Sequence, residues 1–150
     1  MAISEATQDA VRALWVLGSD HGRPPSPTPE ADPWQDEDPF EEPQDTAVVE
    51  FGGVPTIEVR LNGDLEDEVT LQGAMVFDVP RRDTVAVVAA VLEGDAYLRL
   101  RGSHLPDFLR GVLGFMAGKV LVVPVRGASY EQPWPYRMIE VESLWAPPTR

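Results

Sequence analysis

A few groups of residues in this chain have types and spacings that could carry chemistry. Asp64, Glu66, Asp67 and Glu68 crowd into the heptapeptide NGDLEDE (62–68). Hard cations such as calcium or magnesium take several carboxylate oxygens at once, so this is the weak candidate for a metal site. The alternating acids followed by glycine of an EF-hand loop are absent, and a solvated hairpin tip is the simpler account. His104 stands beside a helix start, where an imidazole can act as a base or hold an anion. No G-x-S-x-G elbow accompanies it, and an ordinary loop histidine explains it as well. His21 falls in a proline- and acid-rich stretch and has still less to commend it.

Arg99 and Arg101 share one face of a strand, with Arg60 on another strand and Arg81-Arg82 at a turn. Arg60, Arg99 and Arg101 are therefore the candidates for an anion site held by charge-assisted hydrogen bonds. Cross-strand pairing with Glu50, Glu58 or Glu142 would use the same arginines structurally. An acidic arm of the chain could also cover them reversibly. Glu140 and Glu142 alternate on one strand and evoke the paired carboxylates of a glycosidase, yet such alternation is commonplace on a solvated strand face. Gly111, Gly114 and Gly118 lie in or after a helical pattern, so they form no phosphate-binding loop.

The most suggestive group is Trp34 and Phe40 within DPWQDEDPFEEP. Aromatic residues are scarce in segments that act only as spacers. Interleaved with acids, they resemble recognition segments whose rings enter pockets while carboxylates meet a basic rim. Tyr130, Trp134, Tyr136 and Trp145 cluster near the C-terminus, where core filling or a lid over a sheet edge accounts for most of them.

These groups must be positioned by the elements around them. Ile3, Ala6, Ala10, Val11, Leu14 and Leu17 recur at helical spacing, with Ser4 as a cap, acids in the first turn and Gly18 as a stop. Residues 1–17 thus read as an amphipathic helix of about four turns, too short to stand alone. It must dock, either on this protein or in a partner's groove through Val11, Leu14 and Trp15. Residues 18–46 read as a disordered acidic linker, because seven prolines between Pro24 and Pro43 and a high charge density leave no apolar surface to offset ordering entropy.

Residues 47–150 read as a β-rich domain. Strands are expected at 47–51, 56–61, 69–79, 84–92, 96–101, 119–125 and 136–145, with a helix after Gly102-Ser103 whose stripe runs from Leu105 to Met116. The first hairpin is expected to set Leu61 opposite Val69, Val59 opposite Leu71 and Ile57 opposite Gly73. A two-residue Asn62-Gly63 turn would instead bring acids onto the buried face. The expected fold class is α+β, mainly an antiparallel curled sheet or half-barrel of about seven strands with one packed helix, preceded by the N-terminal helix and the linker.

The chain has 150 residues with 25 Asp+Glu against 12 Lys+Arg, a formal charge of −13. Residues 1–46 hold 11 acidic and two basic groups, and residues 47–150 hold 14 and 10. Most of the acidity sits on the arm, which argues against direct nucleic-acid binding by it. With no cysteine there is no disulfide, zinc knuckle or thiol nucleophile. No run reaches the ~20 apolar residues of a membrane span, and the first residues lack a signal peptide's basic start. A cytoplasmic location is expected, and eleven arginines to one lysine suggest a bacterial, GC-rich genome.

The sequence therefore leads us to expect a non-enzymatic interaction protein or regulatory adaptor, without cofactor. Its contacts would be Val11, Leu14, Trp15, Trp34 and Phe40, and its protein partner would have a basic or grooved apolar surface. One alternative is an acidic inhibitor that occupies the basic cleft of a nucleic-acid-acting enzyme, as immunity or anti-defence proteins do. Another is a small-ligand-binding or hydrolytic domain that uses the arginines or the acidic loop.

Overall fold

The computed structural model describes residues 3–26, 45–63, 66–100, 118–134 and 144–145. Among them the elements are α1 (Glu5–Asp20), β1 (Thr46–Phe51), β2 (Ile57–Asn62), β3 (Asp67–Leu71), β4 (Met75–Val79), α2 (Arg81–Glu93), β5 (Tyr97–Leu100), β6 (Lys119–Val125) and β7 (Ala128–Pro133). The fold is α+β. Its strands form two antiparallel sheets, β1-β2-β3-β4 and β5-β6-β7, with β4 beside β7.

Period-two alternation decides the first sheet. Val49, Phe51, Ile57, Val59, Leu61, Val69, Leu71, Met75, Phe77 and Val79 all point to one face and are buried, whereas Glu50, Glu58, Arg60, Glu68, Thr70, Val76 and Asp78 alternate with them on the other. Both helices pack over the buried face and touch each other, placing Ala10 and Leu14 of α1 and Val87, Val88 and Val91 of α2 in one core. The first turn of α1 meets Asp45, just before β1, and its Gly18 meets Phe51 at the far end of that strand. Sixteen helical residues and six strand residues span similar lengths, about 24 and 20 Å, so α1 covers the whole of β1.

Several elements differ from what the sequence suggests. Residues 84–92 are helical, not a strand. Thr84, Val87, Val88 and Val91 are the buried positions, at i, i+3, i+4 and i+7, so the helical period was present inside an apolar, β-branched run. Pro80 precedes the first turn, and Gly94 at φ +80° closes the helix, with the Asp95 N–H donating to the Ala90 carbonyl at 2.8 Å. The run 69–79 is two strands, since Gln72 and Gly73 both take positive φ and turn the chain back. Residues 128–133, outside the expected strands, form β7, a strand whose exposed polar side chains suit a sheet edge. The helix expected after Ser103 lies outside the described residues, and so does the strand expected at 136–145 except for Leu144 and Trp145, which form part of a 3₁₀ turn instead.

The first hairpin also keeps a different register. Val59 faces Val69, Ile57 faces Leu71 and Arg60 faces Glu68. This is two residues away from the expected pairing, which preserves the faces and shortens the loop. Asp67 consequently joins the buried face.

Gly18 does not stop α1, which continues to Asp20. A Cβ there would lie 2.5 Å from the Arg23 carbonyl oxygen and 2.7 Å from the Phe51 ring. Glycine is needed for close approach, not for a turn, and residues 18–26 belong to the folded body instead of a linker. Replacing an interior helical glycine with alanine ordinarily stabilises by up to about 1 kcal/mol. Gly18→Ala should instead destabilise the protein in urea unfolding, and any gain in stability would contradict this packing. Leu14→Ala should cost about 2–5 kcal/mol by the same measurement.

Candidate functional site

Ser4, Thr7, Asp45, Asn62, Asp67, Arg81 and Thr84 meet where α1, the start of β1, the first hairpin and α2 converge. Asp67 is fully buried. Its Oδ2 accepts from Arg81 Nε and from the Thr84 hydroxyl, both at 2.7 Å; Oδ1 accepts from an Arg81 amino group at 2.9 Å and from the Asn62 N–H at 3.0 Å. Arg81 also donates to the Asn62 carbonyl at 3.1 Å and to the Thr7 hydroxyl at 3.3 Å. Every lone-pair direction of a buried carboxylate is thereby engaged, which is what makes burying its charge tolerable.

Asp45 extends the junction to the surface. Its carboxylate accepts from the Ser4 N–H at 2.8 Å and from the Thr7 hydroxyl at 3.3 Å, and its carbonyl accepts from the Gly63 N–H at 2.8 Å. The hydrogen bonds from Ser4 hold the Asp45 carboxyl below its ordinary range. Nearby, the Ser4 hydroxyl accepts from the Thr7 N–H at 3.2 Å and caps α1. Asp45 thus fixes the point where residues 27–44 end.

Their starting point is fixed as well. The Arg23 N–H donates to the Gly18 carbonyl at 2.7 Å, and its guanidinium reaches the Gly52 carbonyl at 2.9 Å through Nε. Burial lowers the pKa of that guanidinium from its usual value. The Ser26 N–H then donates to the Glu50 carbonyl at 2.7 Å, an antiparallel bridge on the outer edge of β1. The residues that flank 27–44 are therefore both fixed, Ser26 beside Glu50 of β1 and Asp45 just before that strand. Their anchors are about 16 Å apart, the rise from Asp45 to Glu50.

The residues singled out from sequence separate into several environments. Leu14 is fully buried and Val11 is packed against the core, so neither is free for a partner in this arrangement; Trp15 remains 37 % exposed beside Val16. Trp34 and Phe40 lie outside the described residues, as do Arg101, His104, Asp64, Tyr136, Glu140 and Glu142. Arg60 and Arg99 sit in different sheets, and each faces carboxylates of its own sheet. Arg99 donates to both carboxylate oxygens of Glu131 at 2.9 Å, whereas Arg60 lies 3.9 Å from Glu58 and 4.0 Å from Glu68.

The described acids of the loop point in different directions. Glu66 is exposed, Glu68 faces Arg60 across the sheet and Asp67 turns inward to Arg81. Among the described residues no three His, Asp or Glu side chains are placed to hold a metal ion. His21, assigned above to the arm, ends α1: its Nδ1 lies 2.9 Å from the Leu17 carbonyl and its Nε2 3.7 Å from Glu93. Tyr130 donates to Asp83 at 2.6 Å, and burial together with that bond pushes its pKa up to about 12. Trp134 and Trp145 are buried edge to face, 6.4 Å between ring centres.

Asp67, Arg81 and Asp45 were not legible as a unit, because Arg81 was read as a turn residue and Asp67 as a loop acid. Comparison of the chain with known protein families, with curated proteins and with solved structures gives no match.

Two outcomes follow from the junction. Asp67→Ala should cost about 3–5 kcal/mol, since it leaves Arg81 partly buried without its counter-charge. A double-mutant cycle of Asp67→Ala with Arg81→Ala, followed by urea unfolding, should give a coupling above about 1 kcal/mol, and a coupling near zero would make the pair incidental. The folded-state pKa of Asp45 is depressed, so its contribution is present above the unfolded carboxyl pKa of about 4 and fades as pH falls below it. Asp45→Asn should flatten that part of the acid dependence of the urea midpoint; an unchanged pH profile would contradict the capping role.

Proposed function

We propose that this protein is a non-enzymatic interaction module whose main recognition element is the segment 27–44. The observation that supports this reading is that both residues flanking the segment are fixed to the folded body, Ser26 to the edge of β1 and Asp45 to the start of α1 and to Gly63. All of its charges, on Glu30, Asp32, Asp36, Glu37, Asp38, Glu41 and Glu42, are negative, and it carries Trp34 and Phe40. Fixing both ends lowers the entropy lost on binding relative to a free tail, because fewer chain conformations must be surrendered. Acids around two aromatic rings fit a partner with apolar pockets inside a basic rim. Trp15 and Val16, exposed on the outer side of α1, offer a second apolar contact.

The same features support a narrower version, in which the segment blocks a basic cleft normally occupied by nucleic acid. Carboxylates spaced along a chain can imitate a phosphate backbone, and binding of that kind weakens steeply with salt.

The experiment is affinity capture from the source cells, followed by purification of the captured protein and titration against variants of this chain. Trp34→Ala with Phe40→Ala should weaken the complex by a factor of about 30 or more, the effect of losing a central aromatic anchor. Unchanged affinity in that variant would overturn the reading. Competition by DNA together with a steep salt dependence would select the blocking version, and salt-insensitive binding would reject it.

A further inference from the structure

Asn62 is the only asparagine in the chain, and Gly63 follows it. An asparagine before glycine is chemically labile, because glycine has no Cβ to keep its backbone nitrogen away from the preceding side-chain amide. Packing explains why glycine stands there. A Cβ on residue 63 would lie 2.7 Å from the Asp45 Cβ, so a larger residue would push the start of β1 away from the hairpin.

The same close approach holds the labile pair in an unreactive geometry. Asn62 is the last residue of β2 and pairs with Thr46, so its backbone is extended. The Gly63 N–H, whose nitrogen is the potential nucleophile, donates to the Asp45 carbonyl at 2.8 Å. The potential leaving group, Asn62 Nδ2, donates to the Glu66 carbonyl at 3.0 Å. Arg81 donates to the Asn62 carbonyl at 3.1 Å, and the Asn62 N–H donates to Asp67 at 3.0 Å. Attack requires the Asn62–Gly63 peptide plane to turn until the Gly63 nitrogen faces Asn62 Cγ. That rotation breaks the bonds to Asp45 and Arg81 together, so it needs a local opening of the junction.

We propose that Asn62 is a site of spontaneous deamidation gated by the Asp45–Arg81 junction. On opening, the deprotonated Gly63 nitrogen bonds to Asn62 Cγ, the Cγ–Nδ2 bond breaks, and water returns the proton to the departing nitrogen, which leaves as ammonia. Water then adds to either carbonyl of the succinimide and opens it to aspartate or isoaspartate at position 62. Water is the only co-reactant, and nothing is oxidised or reduced. Neither product fits the junction. An aspartate carboxylate would face the Glu66 carbonyl oxygen, acceptor against acceptor, where the amide now donates. An isoaspartate adds a carbon to the main chain between the groups that meet Asp67 and Asp45. Modification therefore loosens, irreversibly, the contact on Asp45 that bounds segment 27–44, whatever that segment binds.

The test incubates the full chain at neutral pH, folded and in parallel unfolded in guanidinium chloride, and follows Asn62 by peptide mass spectrometry. The unfolded chain should convert at least about tenfold faster than the folded one, because conversion in the folded state is limited to the opened fraction. Amide exchange of Gly63 reports the same opening without any substitution, and its protection should match that slowing to within about threefold. Asp45→Ala keeps the carbonyl but frees the start of β1 from Ser4 and Thr7, so it should speed both conversion and Gly63 exchange by about threefold or more. Asn62→Asp installs one product and should lower the urea midpoint and speed Gly63 exchange. Equal conversion of folded and unfolded chains, conversion unrelated to Gly63 protection, or an Asn62→Asp chain with unchanged midpoint and exchange would overturn the proposal.

Discussion

The buried pairing of Asp67 with Arg81 is the constraint on which the arrangement of this protein turns. A carboxylate at the first position of β3 lies on the core side of the sheet, where an unpaired charge would be prohibitively costly. Arg81, in the first turn of α2, meets it with two donors, and Thr84 supplies a third from the next turn. This fixes where α2 must begin relative to the first hairpin. Through Asn62 the same groups set the hairpin loop, and through Thr7 they reach α1 and Asp45. Two helices and the sheet are thereby brought into register at one end, while the apolar stripe of α1 and the inner face of the sheet supply most of the burial.

Much of this was readable before the structure. A short apolar run at 47–51 and alternation in 56–61 point to β1 and β2, the stripe from Ile3 to Leu17 points to α1, and the polar outer face of β2 follows from the same alternation. The register of the first hairpin was not readable, for a connected reason. Residues 84–92 are apolar and β-branched, a composition that fits a buried strand as well as a buried helix. Reading them as a strand removed Arg81 from the first turn of a helix, and with it the only partner that makes an inward Asp67 acceptable. Two registers that differ by two residues keep the same apolar faces together, so alternation alone does not separate them.

The candidate site was only partly legible. Trp34, Phe40 and the acids around them stand out by composition alone. The anchors do not, because Ser26 works through its backbone N–H and Asp45 through contacts 41 and 38 residues away in the chain. Leu14 and Trp15 are adjacent in sequence, yet one is in the core and the other is partly exposed, a division set by which helix face meets β1.

The central claim is that α1 and the strands form one body, and that residues 27–44 are held at both ends by it. The most direct measurement places a specific protease site after Gln35, cleaves the purified chain and follows the products by size-exclusion chromatography and amide hydrogen exchange. The account predicts that the two fragments stay together in equal amounts and that the Leu14 and Leu61 amides remain protected. Separation of an N-terminal fragment from a still-folded remainder would show that α1 is a tethered helix rather than part of the core, and would contradict the account.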